Sequence, residues 1–180
     1  MRKNLYIFSF LVLMFSCTGV PDFSNIPSIS YNNLRIITTE KPTQLGVTKK
    51  DSVIISINFQ DGDGDLGFNT QEFAALQKKY GLDVRTFLID LYVKKNGKFV
   101  LSDPSVKFGG NILFHLKDGT KAGPIEGVVD YSVNFEYLNF AGIPNLTGKK
   151  DTVKFEITIK DRAMNTSNTT ETPEVVIFNQ

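Results

Sequence analysis

Hydrophobic and polar residues alternate along most of the chain, and a period of two sends successive side chains to opposite faces of an extended strand. In Ser52-Val53-Ile54-Ile55-Ser56-Ile57-Asn58-Phe59, the residues Val53, Ile55, Ile57 and Phe59 share a face. From Thr152 to Lys160 the alternation has no fault, with Val153, Phe155, Ile157 and Ile159 on one side and Lys154, Glu156, Thr158 and Lys160 on the other. Both segments read as strands with one dry and one wet face. Phe87-Ile89-Leu91-Val93, Ile112-Phe114-Leu116 and Val129-Tyr131-Val133-Phe135-Tyr137 repeat the pattern, with Leu34-Ile36 before them and Val175-Ile177 after. Asn96-Gly97 is a hairpin signal that returns the Phe87 strand through Phe99-Val100-Leu101, and Asp118-Gly119 closes the Ile112 strand. Only Gln71 to Tyr80 reads as helix, stopped by Gly81. About seven antiparallel strands with one short helix in a long loop predict an all-β, immunoglobulin-like sandwich.

The first residues break this pattern. Met1-Arg2-Lys3-Asn4 is followed by an apolar run from Leu5 to Phe15 interrupted only by Ser9. A basic start and an apolar run far short of the roughly 20 residues of a spanning helix predict a secretory signal peptide over 1–16. Cys17 stands directly after it, in Leu13-Met14-Phe15-Ser16-Cys17, which resembles a bacterial lipobox. The resemblance implies a covalent lipid on Cys17 and attachment to a membrane surface without crossing it. Residues 17–31, with Pro21 and Pro27 among few charges, read as a lipidated tether, and residues 32–180 as the folded domain.

Composition then removes whole classes of chemistry. At 180 residues the chain suits one domain. One Cys and one His exclude an internal disulfide and most thiolate or His-based catalytic and zinc sites. His115, between Phe114 and Leu116, falls on the solvent face of its strand. Loss of Arg2 and Lys3 from 20 basic residues, against 19 acidic ones, turns the formal charge from +1 to −1. No basic face remains for nucleic acid.

One segment carries candidate chemistry. Asp61-Gly62-Asp63-Gly64-Asp65-Leu66-Gly67-Phe68-Asn69 follows the Val53 strand and alternates carboxylates with glycines. Crowded carboxylates repel, and a hard cation taking six to eight oxygens at about 2.3–2.6 Å relieves the repulsion. With Asp61 as position one, Asp63, Asp65, Asn69 and Glu72 fall on EF-hand positions three, five, nine and twelve, but Leu66 occupies the glycine position and the preceding element is a strand. The loop therefore reads as a calcium site of another kind, with Glu72 as an extra candidate ligand. A second polar loop, Asp161-Arg162-Ala163-Met164-Asn165, follows the 152–160 strand, and in an immunoglobulin-like order it shares a pole with the first. The expected ligand set is Asp61, Asp63, Asp65, Asp161 and Asn165.

Together, Cys17, Asp61-Gly-Asp-Gly-Asp-Leu-Gly67, Lys95-Asn-Gly-Lys-Phe-Val100 and the segment Asp151 to Asn168 resemble a group of Bacteroidota lipoproteins with immunoglobulin- or cadherin-like β-sandwich domains. The resemblance implies a lipid-anchored protein of the cell envelope, on the outer membrane, with the leaflet left open. The expectation is a non-enzymatic β-sandwich whose calcium-ordered loop contacts an envelope protein or a glycan, with Phe68, Tyr80 or Tyr92 available to stack on a sugar. Two alternatives stand beside it: a hydrolase using carboxylates such as Asp63 and Asp161, and a purely structural subunit of an envelope complex.

Overall fold

The computed structural model describes residues 19, 21–44, 46–103, 108–112, 122–137 and 143–179. Their order is β1 (Ser28–Thr43), β2 (Gly46–Asp61), α1 (Thr70–Tyr80), β3 (Phe87–Lys95), β4 (Lys98–Leu101), β5 (Phe108–Gly110), β6 (Ile125–Glu136), β7 (Asp151–Ile159), β8 (Thr170–Glu171) and β9 (Val175–Ile177). One sheet has the order β1-β2-β6. In the other, β3 and β7 lie side by side, with β4 and β5 along the outer edge of β3 and β8 and β9 along the outer edge of β7. All pairings are antiparallel, and the arrangement is an immunoglobulin-like sandwich.

The predicted stripes meet between the sheets. Val53, Ile55 and Ile57 of β2 pack in one core with Phe87, Ile89 and Leu91 of β3 and Val153, Phe155 and Ile157 of β7. Burial of each such side chain contributes about 1.5–3 kcal/mol. Phe135 of β6 bridges the layers, its ring 6.3 Å from Phe155 and 6.2 Å from Phe178. Asn96 and Gly97 both have positive φ, 50° and 79°, as the predicted two-residue hairpin requires.

Three sequence expectations shift. The first strand starts at Ser28 rather than near Asn32, because Ile29 is buried against the core and its N–H is held by Asn168 Oδ1 at 2.9 Å. Ordered structure thus takes up the end of the segment read as tether. Strand β5 was not expected, since Gly109 and Gly110 offer no side chains to alternate. Ile112 is buried but lies outside any strand, while Phe114, His115, Leu116 and the Asp118-Gly119 turn fall outside the described residues. So do residues 1–18, Cys17 among them. Among the described residues no helix is long and apolar enough to cross a membrane.

Candidate metal centre

The core-facing register of β2 runs Val53, Ile55, Ile57, Phe59 and then Asp61; that of β7 runs Val153, Phe155, Ile157, Ile159 and then Asp161. Each strand therefore ends by pointing a carboxylate inward, and both Asp61 and Asp161 are fully buried. Asp51 within β2 and Asp151 at the start of β7 also point inward. Those two are satisfied. Asp51 accepts from the Thr38 hydroxyl (2.7 Å) and the Phe178 N–H (2.7 Å). Asp151 accepts from the N–H groups of Thr147 and Gly148, both at 2.8 Å.

Asp61 differs. Its Oδ2 accepts the Asp65 N–H at 2.8 Å, which closes the loop back on the strand end, and Gly64 makes that curl possible with a φ of 71°. The loop thereby gathers Asp61, Asp63 and Asp65 so that one carboxylate oxygen from each lies within 4.8 Å of the others. Two ligands held at about 2.4 Å from one ion can be no farther apart than that. Asp61 Oδ1, Asp63 Oδ1 and Asp65 Oδ1 are all buried without a hydrogen-bond partner among the described residues. Buried polar atoms are paired in the great majority of cases, so three orphans of one charge in one loop call for a ligand.

Electrostatics agree. Like charges at this spacing repel by roughly 3 kcal/mol per pair at an effective dielectric of about 20. Burial, then Asp63 and Asp65, push the Asp61 carboxyl up to about 6. Burial, then Asp161 and Asp63, push Asp65 up to about 6, against the opposing pull of the Ala163 N–H and Arg162. These three residues could hold a divalent cation, which would supply the missing positive charge. An all-oxygen donor set with three carboxylates suits calcium, whose coordination is flexible, better than magnesium, which keeps most of its waters.

The two polar loops meet at this pole, as the strand order predicts. Arg162 N–H donates to the Asp65 carbonyl (3.3 Å) and Ala163 N–H to Asp65 Oδ2 (3.2 Å). Asp161 and Asn165, however, form a closed pair. Asp161 Oδ1 accepts the Asn165 N–H and Oδ2 accepts its side-chain Nδ2, both at 2.7 Å. They shape the second loop, which meets Asp65 through the Arg162 and Ala163 N–H groups, and Asp161 adds its charge to those of the three carboxylates.

Asn69 and Glu72, at EF-hand positions nine and twelve, serve α1 instead. Asn69 Oδ1 accepts from the N–H groups of Gln71 and Glu72, and Glu72 Oε2 accepts the Asn69 N–H, all at 2.9 Å. That is a capping box. Leu66, which stands where an EF-hand needs glycine, is a core side chain. Phe68 is buried too, so it cannot stack on a sugar, whereas Tyr80 is exposed.

Two contacts that local sequence did not announce complete the surroundings. The Gly123 N–H donates to the Asp63 carbonyl (3.0 Å) and the Gly62 N–H to the Ser24 carbonyl (2.8 Å). A groove of about 480 Å³ lies elsewhere, along the first sheet by Ser30, Asn58 and Val128, and none of the three gathered carboxylates lines it. Compared with family models, curated proteins and solved structures, the chain matches none.

Proposed function

We propose that this chain is a lipid-anchored, non-enzymatic protein of the cell envelope whose β-sandwich carries a calcium-stabilised loop at one pole, presented to an envelope protein or a glycan. The observation that carries the reading is the set of three buried, unpartnered carboxylate oxygens of Asp61, Asp63 and Asp65. The connection from Gly62 to Thr86, which includes α1, supports a binding role, because binding residues are disproportionately carried on connections held by a rigid scaffold. This one is anchored from beneath by Leu66, Phe68 and Leu76, which leaves Tyr80 and Leu82 exposed at its far end. The anchor reading rests on Cys17 and the apolar run before it.

A hydrolase is the weaker reading. Raised carboxyls suit acid–base work, but the oxygens that would do it are buried, and the groove is lined by other residues. Calorimetric titration of the purified protein with calcium and with magnesium tests the site. Saturable calcium binding, tighter than magnesium binding and abolished in Asp63→Asn, supports it; no heat with either ion contradicts it. Metabolic labelling with a radioactive fatty acid tests the anchor, with label expected in the wild type and absent from Cys17→Ala.

A further inference from the structure

The contacts of Gly62 point to a second role for the same loop, resting on the reading of Asp61, Asp63 and Asp65 as cation ligands. Gly62 lies between two of those residues, and its N–H is the donor to the Ser24 carbonyl at 2.8 Å. The fit is close enough that a Cβ at this position would collide with the Phe23 carbonyl oxygen and come within 2.9 Å of Asn25 Oδ1. The Ile26 N–H turns back on Ser24 Oγ at 3.0 Å, and Pro27 is buried just before β1 begins. The segment leading into the sandwich is thus laid across the outside of the carboxylate loop, backbone against backbone.

We propose that cation binding at this loop locks the segment Asp22–Ile26 onto the pole of the sandwich and so fixes the direction in which the chain leaves the domain toward its amino terminus. An ion held by Asp61 and Asp63 fixes the peptide between them, and with it the donor that holds Ser24. Without the ion, three like charges push the loop open, and the Ser24 contact opens with it. Where residues before this segment tether the domain to a surface, loading the site changes the domain from freely swivelling to held at a set angle.

Hydrogen exchange on the full-length protein in detergent, in calcium and in chelator, tests this, with calorimetry run on the same sample. The expected result is calcium binding together with exchange slowed about tenfold or more at the Gly62 amide and at the amides of Phe23 to Ile26. Gly62→Ala is expected to bind calcium while losing the calcium-dependent slowing over 23–26. Calcium binding without slower exchange over 23–26 in the wild type overturns the lock and leaves the site standing. Absence of calcium binding overturns the site, and the lock with it.

Discussion

The backbone N–H of Ala163 donates to the carboxylate of Asp65 at 3.2 Å, joining residues 98 positions apart in sequence. The contact exists because β2 and β7 end at the same pole in opposite sheets, so the loops that follow them converge. It satisfies one oxygen of Asp65 and leaves the other buried with its counterparts on Asp61 and Asp63. Asp65→Asn keeps an acceptor for Ala163 and removes one negative charge. In chelator its melting temperature should rise, by about 2–4 °C for each kcal/mol of relieved repulsion in a chain of this size. In calcium the rise seen with the wild type should be absent. Differential scanning calorimetry in both buffers checks the pair of outcomes.

Acidity should act on the metal-free protein in an unusual direction. Asp61 and Asp65 are raised to about 6 from an ordinary 3.8, so between those values the folded state binds more protons than the unfolded one. Stability from this cluster is then complete below about pH 4 and is lost as pH rises through 6. Urea midpoints in chelator, compared between wild type and Asp65→Asn, should converge on acidification and separate above pH 6, the wild type being the less stable. A gap that widens toward low pH would contradict the raised carboxyls.

Asn165 is predicted to shape the second loop and not to bind the ion. Its side-chain Nδ2 satisfies Asp161 Oδ2, so Asn165→Ala leaves a buried oxygen unpaired and should cost about 1–3 kcal/mol. The stabilisation gained from calcium should be at least as large as in the wild type. A calcium increment that shrinks in this variant, measured by chemical unfolding, would make Asn165 a ligand.

Asn69→Ala separates the helix from the site. Loss of the cap should cost about 1 kcal/mol, since Asn69 Oδ1 serves two N–H groups at the start of α1. Calcium affinity by calorimetry should stay within about threefold of wild type, because the Asn69 side chain serves the first turn of α1 and its removal leaves in place the ion pair of Glu72 with Arg162 (3.8 Å), through which α1 reaches the second loop.

This last pair of residues shows where sequence reading stops. Asn69 and Glu72 stand three positions apart, a spacing that an EF-hand loop and a capping box share; the folded chain chooses the cap because Leu66 is drawn into the core and the loop cannot wrap onward. The strands were legible wherever side chains alternate without interruption, as from Val153 to Ile159. They were not legible where Gly109 and Gly110 leave nothing to alternate. Asp61 and Asp161 were recognisable as candidates from composition, and their register after four inward apolar residues also announces that both are buried. That Asp161 would be hydrogen-bonded by Asn165 within its own loop was open to either reading, and that Ser24 and Gly123 would close over the carboxylate loop depends on contacts between segments far apart in sequence, which no local pattern encodes.

The most direct test of the cation site is thermal unfolding of the purified protein in calcium and in chelator at pH 7.5. A ligand bound only by the folded state adds about 2.7 kcal/mol at a concentration one hundred times its Kd. The melting temperature is therefore expected to climb with free calcium, by roughly 5–10 °C at that concentration for a chain of this size, and to show no such climb in Asp63→Asn. A wild-type melting temperature that is the same in calcium and in chelator would contradict the site.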